Sequence, residues 1–389
     1  MLVITTNFNL NNKQIQTIAE NFSQEIQRAI GQQKSSLKML PSFFSTAPQN
    51  AQGQFIALDF GGTNVRVSLL ELYGNGLYKI IAQRSANIEA FTSSKINADA
   101  LFTFIANLIS SLPLANQLYL LGHTFSFPSQ QYSQNNAVLI SWTKEFATVG
   151  VVGQNINQLL ETALHNCGII NVKPIAIVND TVATLIASSY RDEQTTIGSI
   201  CGTGHNTALY DKNTKMILNM ESGNFNLLPI TKYDMLLDNY TTNPRMQALE
   251  KLVAGRYISE LFRITYQPVQ FPFPYSLTSN QLSAIIQGTQ PGFDIQASQL
   301  AKSIVIRAAR LVAATYLGAL QYLDKQLLHH HTIAIDGSLY AKMPGYANQI
   351  SVTVDELLGN KASQVTLCLE NQGSSLGAAL AAYISHHSQ

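Results

Sequence analysis

The stretch Ile175-Ala176-Ile177-Val178-Asn179-Asp180-Thr181-Val182-Ala183-Thr184 decides the fold class of this chain. It begins as a short apolar, β-branched run of the kind found in a strand buried in a parallel sheet. Asn, Asp and Thr then stand together where that strand has to end, and Val182 to Ala187 continue in a run compatible with a helix. Ligands of open α/β sheets bind outside the carboxyl ends of the strands, so Asp180 is placed for chemistry. Taken alone, the stretch has a plainer reading, in which Asp180 or Thr181 caps the next helix. The rest of the chain has to weigh one against the other.

With 389 residues, 46% of them apolar, the chain can build more than one core, and two domains are the natural expectation. Charged residues make up only 12%, and the formal net charge is +1. That balance offers no basic field, so no nucleic-acid partner is expected. Cys167, Cys201 and Cys368 lie far apart without a CxxC pair, which argues against a zinc site and a disulfide framework and suits a reducing, cytoplasmic setting. The N-terminus lacks the pattern of a signal peptide. Ile304 to Leu323, interrupted by Arg307 and Arg310, reads as an amphipathic helix, so no membrane is expected either. Nothing in the sequence signals an oligomeric state.

Upstream of the opening stretch, Ile15, Ile18, Phe22, Ile26 and Ile30 recur at helical spacing behind Asn11 and Asn12. Phe55 to Asp59 reads as a strand, Gly61-Gly62 as a tight turn, and Val65 to Glu71 and Leu77 to Arg84 as two further strands. A helix (Ala98 to Leu112) and a strand (Gln117 to Thr124) complete a β-β-β-α-β unit. Downstream, Thr195 to Cys201, Asn206 to Tyr210 and Met216 to Met220 repeat the three strands, with Gly202-Thr203-Gly204 after the first. The same topology thus occurs twice, a weak internal duplication. Helices are expected over Tyr233 to Asp238, Gln247 to Phe262, Ser298 to Leu323, Asp355 to Leu358 and Gly373 to Ser385, and strands over Thr332 to Asp336 and Gln364 to Leu369.

Backbone N–H groups at a glycine turn suit an oxyanion-rich ligand such as a polyphosphate. Leu58-Asp59-Phe60-Gly61-Gly62-Thr63-Asn64 adds a carboxylate able to hold Mg²⁺, with hydroxyl and amide donors for phosphate oxygens. One Gly-Gly turn is ordinarily just a hairpin; its pairing with Gly202-Thr203-Gly204 favours phosphate. Neither is a Walker A or GxGxxG sequence. Asp336-Gly337-Ser338 stands at another strand end, and Gly373-Ser374-Ser375-Leu376-Gly377 opens a helix that either faces an anion or packs closely through small residues. Ser126, Thr143, Lys144, Asn179 and Asn206, with Asp180, Glu221 and Glu260, offer the alternating donors and acceptors that a polyol needs. Singly, Lys144 and Glu260 read as solvated surface positions. Trp142 reads as packing or as a wall beside the site, and His329-His330-His331 as a loop.

In this order the motifs resemble the hexokinases of eukaryotic type, sugar kinases of the actin-like ATPase superfamily. The resemblance runs from Leu37-Lys38-Met39-Leu40-Pro41 to Gly377-Ala378-Ala379-Leu380. Its most specific pieces are Leu58 to Val67, Phe125-Ser126-Phe127-Pro128, Trp142-Thr143-Lys144, Val178-Asn179-Asp180-Thr181-Val182 and Gly202-Thr203-Gly204. It implies an α/β fold of two duplicated, ribonuclease H-like lobes with a cleft between them. The small lobe would span 53–179, rejoined by 373–389, and the large lobe 180–372 with the N-terminal helix in 1–52.

By the same resemblance, ATP with Mg²⁺ phosphorylates the 6-hydroxyl of a hexose, with glucose first and fructose or mannose as further candidates. Asp180 would be the base, with Lys144 beside it, and Ser126, Thr143, Lys144, Asn179, Asp180, Asn206, Glu221 and Glu260 would hold the sugar. Asp59, Gly61, Gly62, Thr63, Asn64 and Arg66 match the first phosphate segment, with Asp59 toward the metal. Gly202, Thr203 and Gly204 match the second, and Asp336, Gly337, Ser338, Ser374 and Gly377 the nucleoside side. Ser222-Gly223 stands where the family usually has Trp-Gly, and Ser375-Leu376 replaces its common Gly-Lys pair. The rival readings are a catalytically silent sugar sensor on the same fold and an actin-like ATPase.

Overall fold

A computed structural model describes residues 5–62, 64–143 and 146–388; the expectations for Thr63 and Lys144 therefore lie outside the described residues. The chain packs as two compact units. One comprises Leu40–Gly198, Ala208–Asn219 and the segment from Gln372 onward; the other comprises the segment up to Met39, Ser199–Thr207 and Met220–Asn371.

After the short strand β1 (Leu40–Pro41), strands β2 (Gln52–Phe60), β3 (Asn64–Gly74) and β4 (Leu77–Asn87) form an antiparallel meander. β5 (Tyr119–Phe125) joins β2 in parallel, β6 (Ser129–Ser133) and β7 (Asn136–Leu139) form a hairpin, and β8 (Val172–Val178) joins β5 in parallel. The resulting sheet has the order β4-β3-β2-β5-β8. Successive side chains of a strand point to opposite faces. Ile56, Leu58 and Phe60 accordingly enter one core, with Leu101, Ile105, Leu160 and Leu164 from helices Ala98–Ser110 and Ile156–Asn166. Phe55 and Ala57 enter the other, with helices Asp180–Ser189 and Gly373–His387. The C-terminal helix lies directly on its neighbours because small residues permit it. A Cβ added at Gly122 would sit 1.8 Å from the Ala378 carbonyl oxygen, and one at Gly377 would sit 2.1 Å from that of Ala183.

β9 (Thr195–Cys201), β10 (His205–Asp211), β11 (Met216–Asn219), β12 (His331–Asp336) and β13 (Val365–Leu369) build the second sheet, in the order β1-β11-β10-β9-β12-β13. Set β1 aside and that order repeats β4-β3-β2-β5-β8 strand for strand. The duplication read from the sequence is therefore a duplication of topology.

Two departures from the expected elements matter. The helix expected over Gln247 to Phe262 is two helices, Ala248–Val253 and Gly255–Tyr266, because Ala254 is extended (φ −82°, ψ 146°). The break frees the Gly255 N–H from intrahelical bonding, and it donates to the Gly202 carbonyl at 2.9 Å. The expected Asp355 to Leu358 turn is the tail of helix Tyr346–Leu358. Helix Ile295–Leu323 is long and apolar enough by composition to cross a membrane, yet 89% of its most apolar window is buried inside the protein. Arg307 within it donates twice to Asp234 at 2.7 Å, and both side chains are buried.

Candidate active site

Strand register assembles the first group of residues. β2 and β5 set Asp59 opposite Thr124, and β5 and β8 set Thr124 opposite Val178. Asp59, Ser126 and the pair Asn179-Asp180 therefore leave the same carboxyl edge of three adjacent strands. Asn179, not Asp180 or Thr181, is the helix cap: its Oδ1 accepts the Thr181 N–H at 2.9 Å and also the Thr181 hydroxyl. Asp180 is the first helical residue, half-buried, with Oδ1 accepting the same N–H at 2.8 Å. A carboxylate there is favoured by the positive end of the helix dipole.

The Gly61 N–H donates to the Asn64 carbonyl at 3.1 Å and closes the first glycine turn. Arg66, paired with Asp59 across β2 and β3, holds Nη1 4.0 Å from its Oδ2, and both remain partly exposed. One accessible carboxylate suits Mg²⁺, which takes most of its ligands from phosphates and water. Underneath the turn, the Phe60 ring packs among Phe125, Phe127, Phe146 and Trp142 at centroid distances of 5.4 to 6.5 Å. Trp142 donates its indole N–H to the Thr148 carbonyl at 2.8 Å, so its place is in the packing. Thr143, next to it, is exposed. Ser374 accepts the Thr124 hydroxyl on its carbonyl at 2.8 Å, and Gly377 serves helix packing as described above.

Sequence reasoning missed His123. Its ring is fully buried and lies parallel to that of Phe60 at 6.3 Å, with Nδ1 3.3 Å from Asn157 Oδ1. Burial pushes its pKa down to about 3, against the opposing pull of the Asn157 contact.

In the other unit, the Gly202 N–H donates to the Gly204 carbonyl at 3.1 Å, the counterpart of the Gly61 bond. The broken helix supports this turn through Gly255 and through the Arg256 N–H, which donates to Thr203 at 3.3 Å. Gly337, at φ +126°, follows the end of β12; a Cβ there would lie 2.3 Å from the Cys201 carbonyl oxygen. Gly202, Thr203, Thr278, Ser279, Ser338 and Lys342 are among the residues lining a cavity of about 340 Å³. Asp336 is partly exposed at the strand's end. Asn206 Oδ1 accepts the N–H groups of Thr207 (2.7 Å) and Ser222 (3.1 Å), which ties it to the segment after Glu221. Glu221 itself has a left-handed backbone (φ 51°). The Ser222 that departs from the family pattern is buried, and its hydroxyl donates to Thr207 Oγ1 at 3.2 Å.

Glu260 does not join this group. It is 1% exposed, its two oxygens take both Arg263 donors at 2.8 and 2.7 Å, and Oε2 also accepts the Tyr275 N–H at 2.7 Å. That carboxylate is committed to a buried ion pair, which corrects its expected place among the sugar ligands. Glu250 stands by Asn206 instead. Its Oε1 accepts the His205 N–H at 3.1 Å, and its side chain lies against Gly204 and Gly223. Both glutamates fall in one stretch that reads as a continuous helix, and only the break at Ala254 separates their surroundings.

A twice-repeated β-β-β-α-β topology, with a glycine turn after the first strand of each copy and acids at a sheet edge, marks the actin-like ATPase fold. Family models described as hexokinase match residues 3–190 and, for the second half, 196–285 and 278–384. A curated relative from Oryza sativa subsp. japonica, hexokinase-7, is 33% identical over 91% of this chain and 89% of its own. A crystal structure of a hexokinase superposes with a TM-score of 0.87 at 30% identity, covering 98% of this chain and 97% of that one. A hexokinase from Schistosoma mansoni complexed with glucose does so at 0.83 and 28%, with the same coverage. The chain belongs to the hexokinase family, and its activity is the ATP-dependent phosphorylation of a hexose.

Proposed function

We propose that the hexose is glucose, phosphorylated at its 6-hydroxyl as the first step of glycolysis in the cytoplasm, with fructose and mannose as further substrates. The observation that carries this reading is the shared carboxyl edge of β2, β5 and β8, from which Asp59, Ser126, Asn179 and Asp180 emerge together. Asp180 takes the proton of the 6-hydroxyl as that oxygen attacks the γ-phosphorus and the bond to the β,γ-bridging oxygen breaks to release ADP, a role that needs a carboxylate within hydrogen-bond reach of the hydroxyl. Ser126, Thr143, Lys144 and Asn179 hold sugar hydroxyls, as do Asn206, Glu221 and Glu250. The glycine turns receive phosphate oxygens on backbone N–H groups, and Arg66 and Lys144 spread the negative charge.

Asp59 is the residue proposed to hold Mg²⁺, which when bound neutralises charge on the β and γ phosphates. Ser338 and the cavity beside it take the nucleoside side of ATP. A coupled assay of ADP release tests the reading, run with glucose, fructose, mannose and no sugar. Fast release with glucose supports it. Release without sugar points to a plain ATPase, and none with any hexose to a silent sensor.

A further inference from the structure

The turn Gly202-Thr203-Gly204 ends at a residue whose side chain is buried beneath it. His205 opens β10 and is 5% exposed. Its Nδ1 lies 3.0 Å from the Ile200 carbonyl oxygen, on the opposite strand of the same hairpin. A carbonyl can only accept, so the proton sits on Nδ1 and Nε2 carries the lone pair. Nε2 is buried and has no hydrogen-bond partner among the described residues. The same residue's backbone N–H donates to Glu250 Oε1. The adjoining Cys201 Sγ lies 3.7 Å from Nδ1 and 3.5 Å from the buried Tyr316 hydroxyl, so the ring is walled in by groups that hold it in place.

A side chain kept neutral in such a place, with one nitrogen left without a partner, calls for a reason. An aromatic hydrocarbon of the same shape would remove the orphan acceptor but would also take away the donor to the Ile200 carbonyl, so that one hydrogen bond is what the imidazole supplies here. The bond that His205 does make closes the base of the glycine turn. Without it, the hairpin between Ile200 and His205 keeps the Gly202–Gly204 bond but loses the brace that sets the angle of the turn's outward N–H groups.

We infer that His205 is a positioning residue for the nucleotide: its Nδ1–H braces the Ile200 carbonyl and thereby aims the backbone donors of Thr203 and Gly204 at the phosphates. This rests on the assignment of that turn to phosphate binding. The residue touches no reacting atom and acts only through the turn.

The test compares His205→Phe, which keeps the planar volume and removes the donor, with His205→Asn, whose Nδ2 can donate from nearly the position of Nδ1. Titration calorimetry with MgATP reads nucleotide binding directly. Loss of one buried, well-formed hydrogen bond should weaken MgATP about tenfold in His205→Phe. His205→Asn should recover most of that loss, while hexose binding without nucleotide, followed by Trp142 fluorescence, stays at the wild-type value in both. Thermal unfolding confirms that each variant is folded; should His205→Phe not fold, His205→Leu takes its place. Unchanged MgATP affinity in the donorless variant overturns the inference. So does an equal loss in His205→Asn, or a parallel loss of nucleotide and hexose binding, which marks a merely structural role. Wild-type protein that binds MgATP but turns over no hexose would refute the proposed function and leave this comparison of affinities valid.

Discussion

Two turns at equivalent places in the duplicated topology rest on unlike supports. Gly61 and Gly202 each donate an N–H across their turn at 3.1 Å, and each turn follows the first strand of a duplicated unit. Under the first lies a cage of rings, with Phe60 packed among Phe125, Phe127, Trp142 and Phe146. Under the second lies a polar cluster of Ser199, Cys201, His205 and Tyr316, steadied by the backbone of a broken helix. Apolar support is non-directional and grows with area, so it tolerates changes that conserve volume. Polar support is directional and fails when one donor is removed. The first turn has Asp59 and Asp180 at its sheet edge, whereas the second has the Glu250 carboxylate against Gly204 and Asp336 at the end of β12.

If the acid chemistry belongs to the first edge, Asp180→Ala should lower kcat by about 10²–10⁴-fold while hexose binding stays measurable by fluorescence titration. Near-normal turnover would break the contrast at its centre. The aromatic cage should show in stability: Phe60→Ala is expected to cost about 3–5 kcal/mol in denaturant unfolding, and Phe60→Leu much less. Equal losses would mean that ring shape, not apolar volume, supports the turn.

Glu260 and Glu250 sharpen the other side. Glu260→Ala strands Arg263 and should cost about 3–5 kcal/mol of stability with hexose affinity retained. Glu250→Gln should weaken the hexose and leave stability nearly intact; the reverse pattern would return Glu260 to the sugar site.

The remaining effect depends on pH and concerns His123. Its folded pKa of about 3 lies below the unfolded value near 6.5, so the folded state binds fewer protons. The stabilisation is complete above pH 6.5 and is lost as pH falls toward 3, at about 1.4 kcal/mol per pH unit once well inside that window. His123→Phe should flatten this acid limb of the unfolding free energy. An unchanged slope would show that the ring is not the group responsible.

The duplicated strand series, both turns and the carboxylate at the end of β8 were legible because each is a local pattern. Period-two apolar runs, adjacent glycines and a polar cluster after an apolar run need no distant partner to be recognised. Asp180 could be placed at a strand end, but not its relation to Asp59 and Ser126. That depends on the parallel register of β2, β5 and β8, set by pairings between residues more than fifty positions apart. The cap falls at Asn179, not at Asp180 or Thr181 as the sequence suggests, since Asn, Asp and Thr are all good caps and only backbone conformation chooses among them. Glu250 and Glu260 look alike in one helical stretch; a single extended residue, Ala254, turns one toward the glycine turn and leaves the other in its ion pair.

By itself, then, the sequence determined the family, the repeated topology and the residue types available for chemistry, because these reside in local pattern and motif order. Tertiary structure decided which acid serves the site, which glycine is packing and what braces each turn. Those outcomes turn on burial and on hydrogen bonds across strands and helices, and no residue carries either in its immediate neighbours along the chain.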